Sequence, residues 1–378
     1  MTSKGFNFIH PLEIAFCGYS NSGKTTVISK LIERFSSDFH VGYFKHDAHR
    51  FEMDHPGKDT FKATAAGAKT VVINSQTKSC LSFEKSIPSR LLASQFIDCD
   101  FVLLEGQKKS KVPKIVVLSH ESHKRDEMIQ MSDAGELGEV LAFIGTDDKL
   151  SLSAPYFHRD DVGNLAQFVL DHFQAQVLAR PTKALILAGG RSKRMNSDKG
   201  ALSYHGKSQV SHLYDLIKEF CSEVFVSCRD DQAQASHMDG IPKIFDLIKD
   251  KGPMGGIISA MEYDRQANWL VVACDLPFLN QGTLQKLFND HNPYKVATCF
   301  INPEKGWPEP LCTIYSPKAR AKLYQYMGMD MNCPRKVLFN SEICALELDD
   351  QLALENANTP QAFEQAMKKI EHHSGELI

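Results

Sequence analysis

The chain has 378 residues, 43% of them hydrophobic and 24% charged, with 43 Lys plus Arg against 46 Asp plus Glu and a formal net charge of -3. That composition excludes a wholly disordered, collagen-like or coiled-coil chain, and the length asks for roughly two to three domains. The charge balance argues against a dedicated nucleic-acid binder, which needs a basic excess, and leaves small anionic substrates open.

The first predicted strand covers 12–17, a short apolar run. A Gly/Ser-rich turn follows at 18–23. Residues 24–35 then place Val27, Ile28, Leu31, Ile32 and Phe35 on one face of a helix. Further strands are predicted at 40–44, 70–74, 101–104, 114–118 and 140–144, with a closing helix at 165–178. Arg180-Pro181-Thr182 interrupts this series, because proline disfavours helix at the residue before it. A second series then begins: a strand at 183–187, a Gly/Arg-rich loop at 188–196 and a helix at 210–220. Strands at 224–227, 243–245, 269–274, 296–300 and 311–315 continue it. The reading is two different α/β domains, 1–180 and 181–378, without an evident repeat.

The ten cysteines are scattered and none has CxxC spacing, which suits reduced thiols used as small hydrophobes. Residues 1–11 carry one Lys and no long apolar stretch, and no apolar run approaches the ~20 residues of a membrane span. The expected setting is the cytoplasm, with no membrane partner.

Gly18-Tyr19-Ser20-Asn21-Ser22-Gly23-Lys24-Thr25 satisfies GxxxxGK[ST] between a predicted strand and a predicted helix. The physics asks for this order. Gly18 and Gly23 let backbone N–H groups, with that of Ser22, turn inward around a polyphosphate, and the helix N-terminus adds a positive dipole end. Lys24 supplies a cation for the outer phosphates, the Thr25 hydroxyl can ligate Mg²⁺, and Thr26 can donate to the α-phosphate. Glu105 leaves the apolar strand 101–104 where it can reach the Mg²⁺ shell, while Asp100 at the other end reads equally well as a solvated strand end. His46, His49, His55, Asp54 and Asp59 read better as a polar loop than as a zinc site, with Asp54 and Asp59 as magnesium-sphere or water-positioning candidates. Thr146-Asp147-Asp148-Lys149 is only a faint substitute for an NKxD base-reading motif, so the base is left open here.

Together with FKHDAHRFEMDHPGKDTF, AAGAKTVV and FVLLEGQKKSKVPKIVV, the loop resembles the molybdopterin-guanine dinucleotide biosynthesis adaptor family (MobB) over most of residues 10 to 175. The resemblance implies a P-loop NTPase-like α/β domain that binds GTP with weak hydrolysis, often as a homodimer, and assists the attachment of GMP to molybdopterin. Lys58-Asp59 and Glu105-Gly106 would then belong to the nucleotide site.

In the second series a strand ends at Leu187-Ala188-Gly189-Gly190, and cations gather at Arg191, Lys193, Arg194 and Lys199. A second Gly-rich turn, containing Pro253 and Gly255, opens a helix, and a buried strand ends in Asp275, well placed for Mg²⁺. Asp246 is a weaker second acid. LAGGxSxRM…DK, GPMGG, CDLP, PEPL and NANTP, in this order, resemble the molybdenum cofactor guanylyltransferases (MobA), over about residues 183 to 370.

The resemblance implies a Rossmann-like nucleotidyltransferase α/β domain in which Leu187, Ala188 and Gly189 contact GTP and Lys199 meets its phosphates. Asp246 lies in the nucleotide pocket, Asp275 holds Mg²⁺, and Asn356 and Asn358 lie near the reacting groups. Lys199 and Arg194 would steady the departing pyrophosphate. LAGG in place of LAAG favours guanine over cytosine. Asn196 stands where the family commonly has Gly, and Ser227 where a nucleotide-contacting Asn can occur. Arg335 and Lys336 are candidates for the pterin phosphate, and Trp307, Pro308, Glu309 and Pro310 for the pterin face, against surface charge and core packing. Molybdopterin, molybdoenzyme apoproteins and cofactor-insertion proteins are the implied substrate and partners. A cytidylyl- or sugar-nucleotide transferase, or a P-loop switch with a degenerate second domain, is the alternative.

Overall fold

The computed structural model describes residues 9–46, 53–147, 150, 152–188, 199–229, 232 and 234–375. Contacts divide the chain into two compact units, Met1–Asp171 and His172–Ile378. The division falls inside the helix Val162–Leu178.

The first unit is built on a six-stranded sheet of order β2-β5-β1-β6-β7-β8. Its strands are β1 (Glu13–Cys17), β2 (Val41–Lys45), β5 (Phe101–Glu105), β6 (Lys114–Val117), β7 (Val140–Gly145) and β8 (Tyr156–His158), and all neighbours pair in parallel. β3 (Thr70–Asn74) and β4 (Ser79–Phe83) form a separate antiparallel hairpin. The three central strands are buried along their whole length, as parallel strands covered on both faces must be. The helix Lys24–Phe35 buries Val27, Ile28, Leu31 and Phe35, one stripe at helical spacing, against that sheet.

The second unit is a seven-stranded mixed sheet of order β11-β10-β9-β12-β14-β13-β15. Its strands are β9 (Thr182–Leu187), β10 (Val224–Cys228), β11 (Lys243–Phe245), β12 (Asn268–Ala273), β13 (Ala297–Ile301), β14 (Pro308–Tyr315) and β15 (Ile343–Glu347). Only β14 runs antiparallel to its neighbours. The helix Pro253–Tyr263 is buried from Met254 through Met261 and packs under β9 to β12.

In both sheets the chain leaves the first strand toward one flank and returns to the other. After β1 it goes to β2 and then crosses to β6; after β9 it goes to β10 and β11 and then crosses to β12. Such reversals open a crevice at the carboxyl ends of the strands, where ligands of open α/β sheets bind. The predicted strands fall on β1, β2, β3, β5, β6, β7 and β9 to β14, whereas β4, β8 and β15 had no assignment. Those three are short or edge-lying, with half-exposed patterns that carry little periodic signal. No described helix is long and apolar enough to cross a membrane.

Candidate functional site

The loop after β1 is held by close backbone approach. A Cβ at Gly18 would collide with the carbonyl oxygen of Val117 at the end of β6 and lie 2.8 Å from Ser22 Oγ. Glycine is therefore required by packing. Ser22 is fully buried, and its Oγ has no hydrogen-bond partner among the described residues. A buried hydroxyl without a partner is costly, and it fits a loop shaped for a ligand oxygen.

Lys24 Nζ donates to the Tyr19 carbonyl at 2.7 Å, and burial pulls its ammonium below the usual range while the Glu105 charge opposes that. Thr25 Oγ1 donates to both carboxylate oxygens of Glu105, at 3.0 and 2.9 Å. Glu105 is buried and also accepts from Tyr43 Oη at 2.7 Å, with Lys45 Nζ at 3.6 Å. Burial and that hydrogen bond hold the proton on Tyr43 well above its ordinary range. β2 lies beside β5 in register Tyr43↔Leu103 and Lys45↔Glu105, which brings these side chains to the carboxylate. Thr26 is exposed in the first turn of the helix.

Asp100 is buried rather than solvated, accepting from the His40 N–H at 2.8 Å to fix the start of β5. Asp54 and Asp59 are exposed and take local partners, Thr60 Oγ1 at 3.0 Å and Lys62 Nζ at 3.3 Å. His49 lies outside the described residues, as do Asp148 and Lys149.

In the second unit Leu187 ends β9, and buried Ala188 follows it, its N–H donating to the Ser227 carbonyl at 3.3 Å. Ser227, buried in β10, donates from Oγ to Asp246 Oδ1 at 2.8 Å, just beyond β11. A Cβ at Gly256 would lie 2.7 Å from Ser227 Oγ, 2.8 Å from Leu187 Cδ2 and 3.4 Å from Asp246 Oδ1. The helix carrying Pro253 and Gly255 is thus seated against the Ser227–Asp246 pair by a missing side chain. Leu247 N–H donates to Ser259 Oγ at 2.8 Å, and that hydroxyl donates to the Gly255 carbonyl at 2.7 Å, tying the loop after Asp246 to the helix.

Asp275 emerges half-buried beyond β12, which lies on the other side of β9 from β10 and β11. Its carbonyl accepts from the Ala357 N–H at 3.0 Å, which brings the Asn356 and Asn358 segment to the same edge. Tyr204, nearly fully buried, packs on Phe363 with ring centroids 4.9 Å apart. Among the described residues its hydroxyl has no hydrogen-bond partner, and burial with the nearby Asp275 charge pushes its pKa up to about 12. Lys199 begins a short 3₁₀ turn, Lys199–Ala201. Gly189, Gly190, Arg191, Lys193, Arg194 and Asn196 lie outside the described residues.

Because β14 runs antiparallel to β12, its first residues reach the edge where Asp275 emerges. Trp307 stands there 43% exposed, with Arg335 Cζ 5.5 Å and Lys305 Nζ 5.9 Å from its ring centroid. Arg335 Nε donates to the Pro308 carbonyl at 3.3 Å and Nη2 lies 3.5 Å from Glu309. An exposed indole flanked by two cations is a surface for a flat, anionic ligand.

Two family models match the chain. The one described as molybdopterin guanine dinucleotide synthesis protein B covers residues 13–145, and the one described as MobA-like NTP transferase domain covers 184–342. The chain belongs to the molybdenum cofactor guanylyltransferase (MobA-like) family through its second unit. Its first unit carries a MobB-like domain over 13–145.

A molybdenum cofactor biosynthesis bifunctional protein of Synechocystis sp. is 33% identical over 192 residues, 51% of this chain and 55% of that protein, so the chain spans about half of that relative's length. A probable molybdenum cofactor guanylyltransferase of Flavobacterium johnsoniae is 33% identical over 135 residues, 35% of this chain and 67% of its own. The Escherichia coli molybdopterin-guanine dinucleotide biosynthesis adapter protein is 29% identical over 171 residues, 43% of this chain and 94% of its own. Among solved structures, Archaeoglobus fulgidus molybdopterin-guanine dinucleotide biosynthesis protein A is similar at 22% identity and a TM-score of 0.44, covering 50% of this chain and 99% of its own. Bacillus subtilis MobB is similar at 27% identity and a TM-score of 0.35, covering 42% and 96%.

Tyr43, Lys45, Tyr204 and Gly256 stand beside the candidate residues without having been singled out in the sequence. Only Gly256 carried a signal, as the last glycine of GPMGG.

Proposed function

We propose that the chain transfers GMP from GTP to molybdopterin, with or without molybdenum, forming molybdopterin guanine dinucleotide and pyrophosphate. The observation that carries this is the crevice where Leu187, Ala188, the Ser227–Asp246 pair and Asp275 meet at the carboxyl edge of the MobA-like sheet. The terminal phosphate of molybdopterin attacks the α-phosphorus of GTP, a P–O bond forms, and the bond to the β-phosphate oxygen breaks with its electron pair leaving on pyrophosphate. The attacking phosphate is already an anion near neutral pH, so no general base is required. The chain must align two anions that repel each other. Backbone at 187–190 lays out the nucleotide, Ser227 fixes the Asp246 carboxylate within the pocket, and Lys199 and Arg194 meet the leaving phosphates. Trp307, Pro308, Glu309 and Pro310, with Arg335 and Lys336, receive the pterin and its phosphate, while Asn356 and Asn358 orient the reacting groups.

Asp275 is the residue that would hold Mg²⁺, as Thr25 and Glu105 would in the MobB domain. A hydroxyl and a carboxylate side by side, Thr25 Oγ1 at 3.0 and 2.9 Å from the Glu105 oxygens, form a hard oxygen donor set that suits this ion. Mg²⁺ takes one or two carboxylates and completes its shell with phosphates and water. When bound, it neutralises phosphate charge.

The MobB domain, residues 1–180, binds GTP with weak hydrolysis and serves the transferase domain, residues 181–378, by keeping the pterin donor or the acceptor apoprotein close. Molybdoenzyme apoproteins and cofactor-insertion proteins in the cytoplasm are the partners of this reading. Its hairpin β3–β4 exposes Val72 at 63%, Ile73 at 56% and Leu81 at 43%. That apolar ribbon supports a homodimer through the first domain. The test is purified protein with molybdopterin, Mg²⁺ and each of GTP, CTP and ATP, scored for dinucleotide. Product with GTP alone is expected, and product only with CTP, or none with any, removes the reading.

A further inference from the structure

We propose that Arg159 is the positioning residue of the first phosphate loop and sets nucleotide affinity there; this rests on reading that loop as a phosphate cradle. Arg159 directly follows β8, at the edge of the sheet and three strands from β1. Its guanidinium reaches back across the carboxyl edge. Nη2 donates to the Ser22 carbonyl at 2.8 Å and to the Leu118 carbonyl, beyond β6, at 3.3 Å. Nη1 lies 3.0 Å from the place a Cβ on Gly23 would take, so the flat group rests on the α-carbon of the glycine before Lys24.

One consequence is geometric. A trans peptide is planar, and its C=O and N–H point to opposite sides. With the Ser22 carbonyl drawn outward to Arg159, the Gly23 N–H of the same peptide faces the other way, into the loop. Gly23 sits at φ +89°, a conformation that glycine adopts without strain, and its carbonyl accepts the Val27 N–H at 3.1 Å to start the helix. Arg159 therefore fixes the orientation of one of the amides a phosphate needs, without contacting the phosphate.

The other consequence is electrostatic. Among the described residues no carboxylate pairs with Arg159; its described hydrogen bonds run to main-chain carbonyls. A full positive charge thus stands behind the loop with only dipoles to answer it, and it raises the potential where an anion would bind. The chain outside the P-loop motif offered no hint of this, since 137 residues separate the partners.

The experiment is titration of the full-length protein with fluorescent guanosine di- and triphosphate, counting as cradle signal the part that Lys24→Ala removes. Arg159→Ala should weaken that signal about tenfold to a hundredfold, the worth of a hydrogen bond from a charged group. Di- and triphosphate should lose equally, because the residue acts on the loop. Free guanidinium in the buffer should recover part of the loss, and the nucleotide-free melting temperature should stay put. Unchanged binding by Arg159→Ala overturns the proposal and leaves the cradle reading standing. So does a loss confined to the triphosphate, which means direct phosphate contact, or a loss matched by destabilisation of the nucleotide-free protein. A Lys24→Ala chain that binds as the parent does overturns the cradle reading itself.

Discussion

On the proposed function, the two crevices meet the same demand, a polyphosphate at a topological switch point, with different materials. The MobB loop works through backbone. It is pressed against the Val117 carbonyl at Gly18, and its charged side chains, Lys24 and Glu105, already have partners within the chain. The MobA-like crevice works through side chains on separate strands, Ser227 on β10, Asp246 after β11 and Asp275 after β12, seated by one glycine of the underlying helix. A contiguous loop carries most of its donors on one turn and needs few supports from elsewhere, here Glu105 and Arg159. A dispersed crevice exists only when the sheet has brought its strands into register. The first should tolerate change elsewhere in the domain except at those supports, and the second should be sensitive to packing.

The largest effect tests the division of labour. Asp275→Asn should lower dinucleotide formation by about a hundredfold or more while nucleotide binding by the MobB loop is retained. Full turnover by that variant removes Asp275 from the chemistry. The reciprocal change, Lys24→Ala, should weaken nucleotide binding in the first domain at least about tenfold and leave transfer by the second intact. Parallel loss of transfer would mean the two crevices act as one.

Packing sensitivity is probed next. Gly256→Ala should cost about 1–3 kcal/mol of overpacking against Ser227 and Leu187, read as a raised KM for GTP. An unchanged KM would show that the Ser227–Asp246 pair stands apart from the nucleotide.

Acid should separate the domains. Burial, and then the neighbouring His205, holds His212 at about 4, and burial, with Arg180 adding, holds His291 at about 4, against 6.5 for an ordinary imidazole. Between those values the unfolded chain takes up protons that the folded second unit refuses. Stability is therefore complete above about pH 6.5 and is lost as pH falls toward about 4, at roughly 1 kcal/mol per pH unit for His291. His291→Asn should flatten the fall in the melting temperature of that unit. The smallest effect belongs to Tyr204→Phe, which removes a buried hydroxyl without a partner and should raise stability by about 1 kcal/mol. A loss instead would reveal a partner for that hydroxyl.

Most of the order of elements, β4, β8 and β15 excepted, and the first glycine loop were legible from the residues alone, because both are local. Apolar runs, a glycine turn and an adjacent lysine and hydroxyl carry their meaning within a few bonds of one another. The sequence also marked Glu105 and Asp275 as acids at strand exits, since a lone carboxylate ending an apolar run can only emerge at the sheet's edge. Tertiary structure alone decided what those acids touch. Tyr43 and Lys45 reach Glu105 through β2–β5 register, Ser227 meets Asp246 across β10 and β11, and Arg159 reaches from the end of β8 to the Ser22 and Leu118 carbonyls. The physical reason is range: periodicity and turn chemistry act over one element, whereas register and crossover place residues from distant parts of the chain within hydrogen-bond distance.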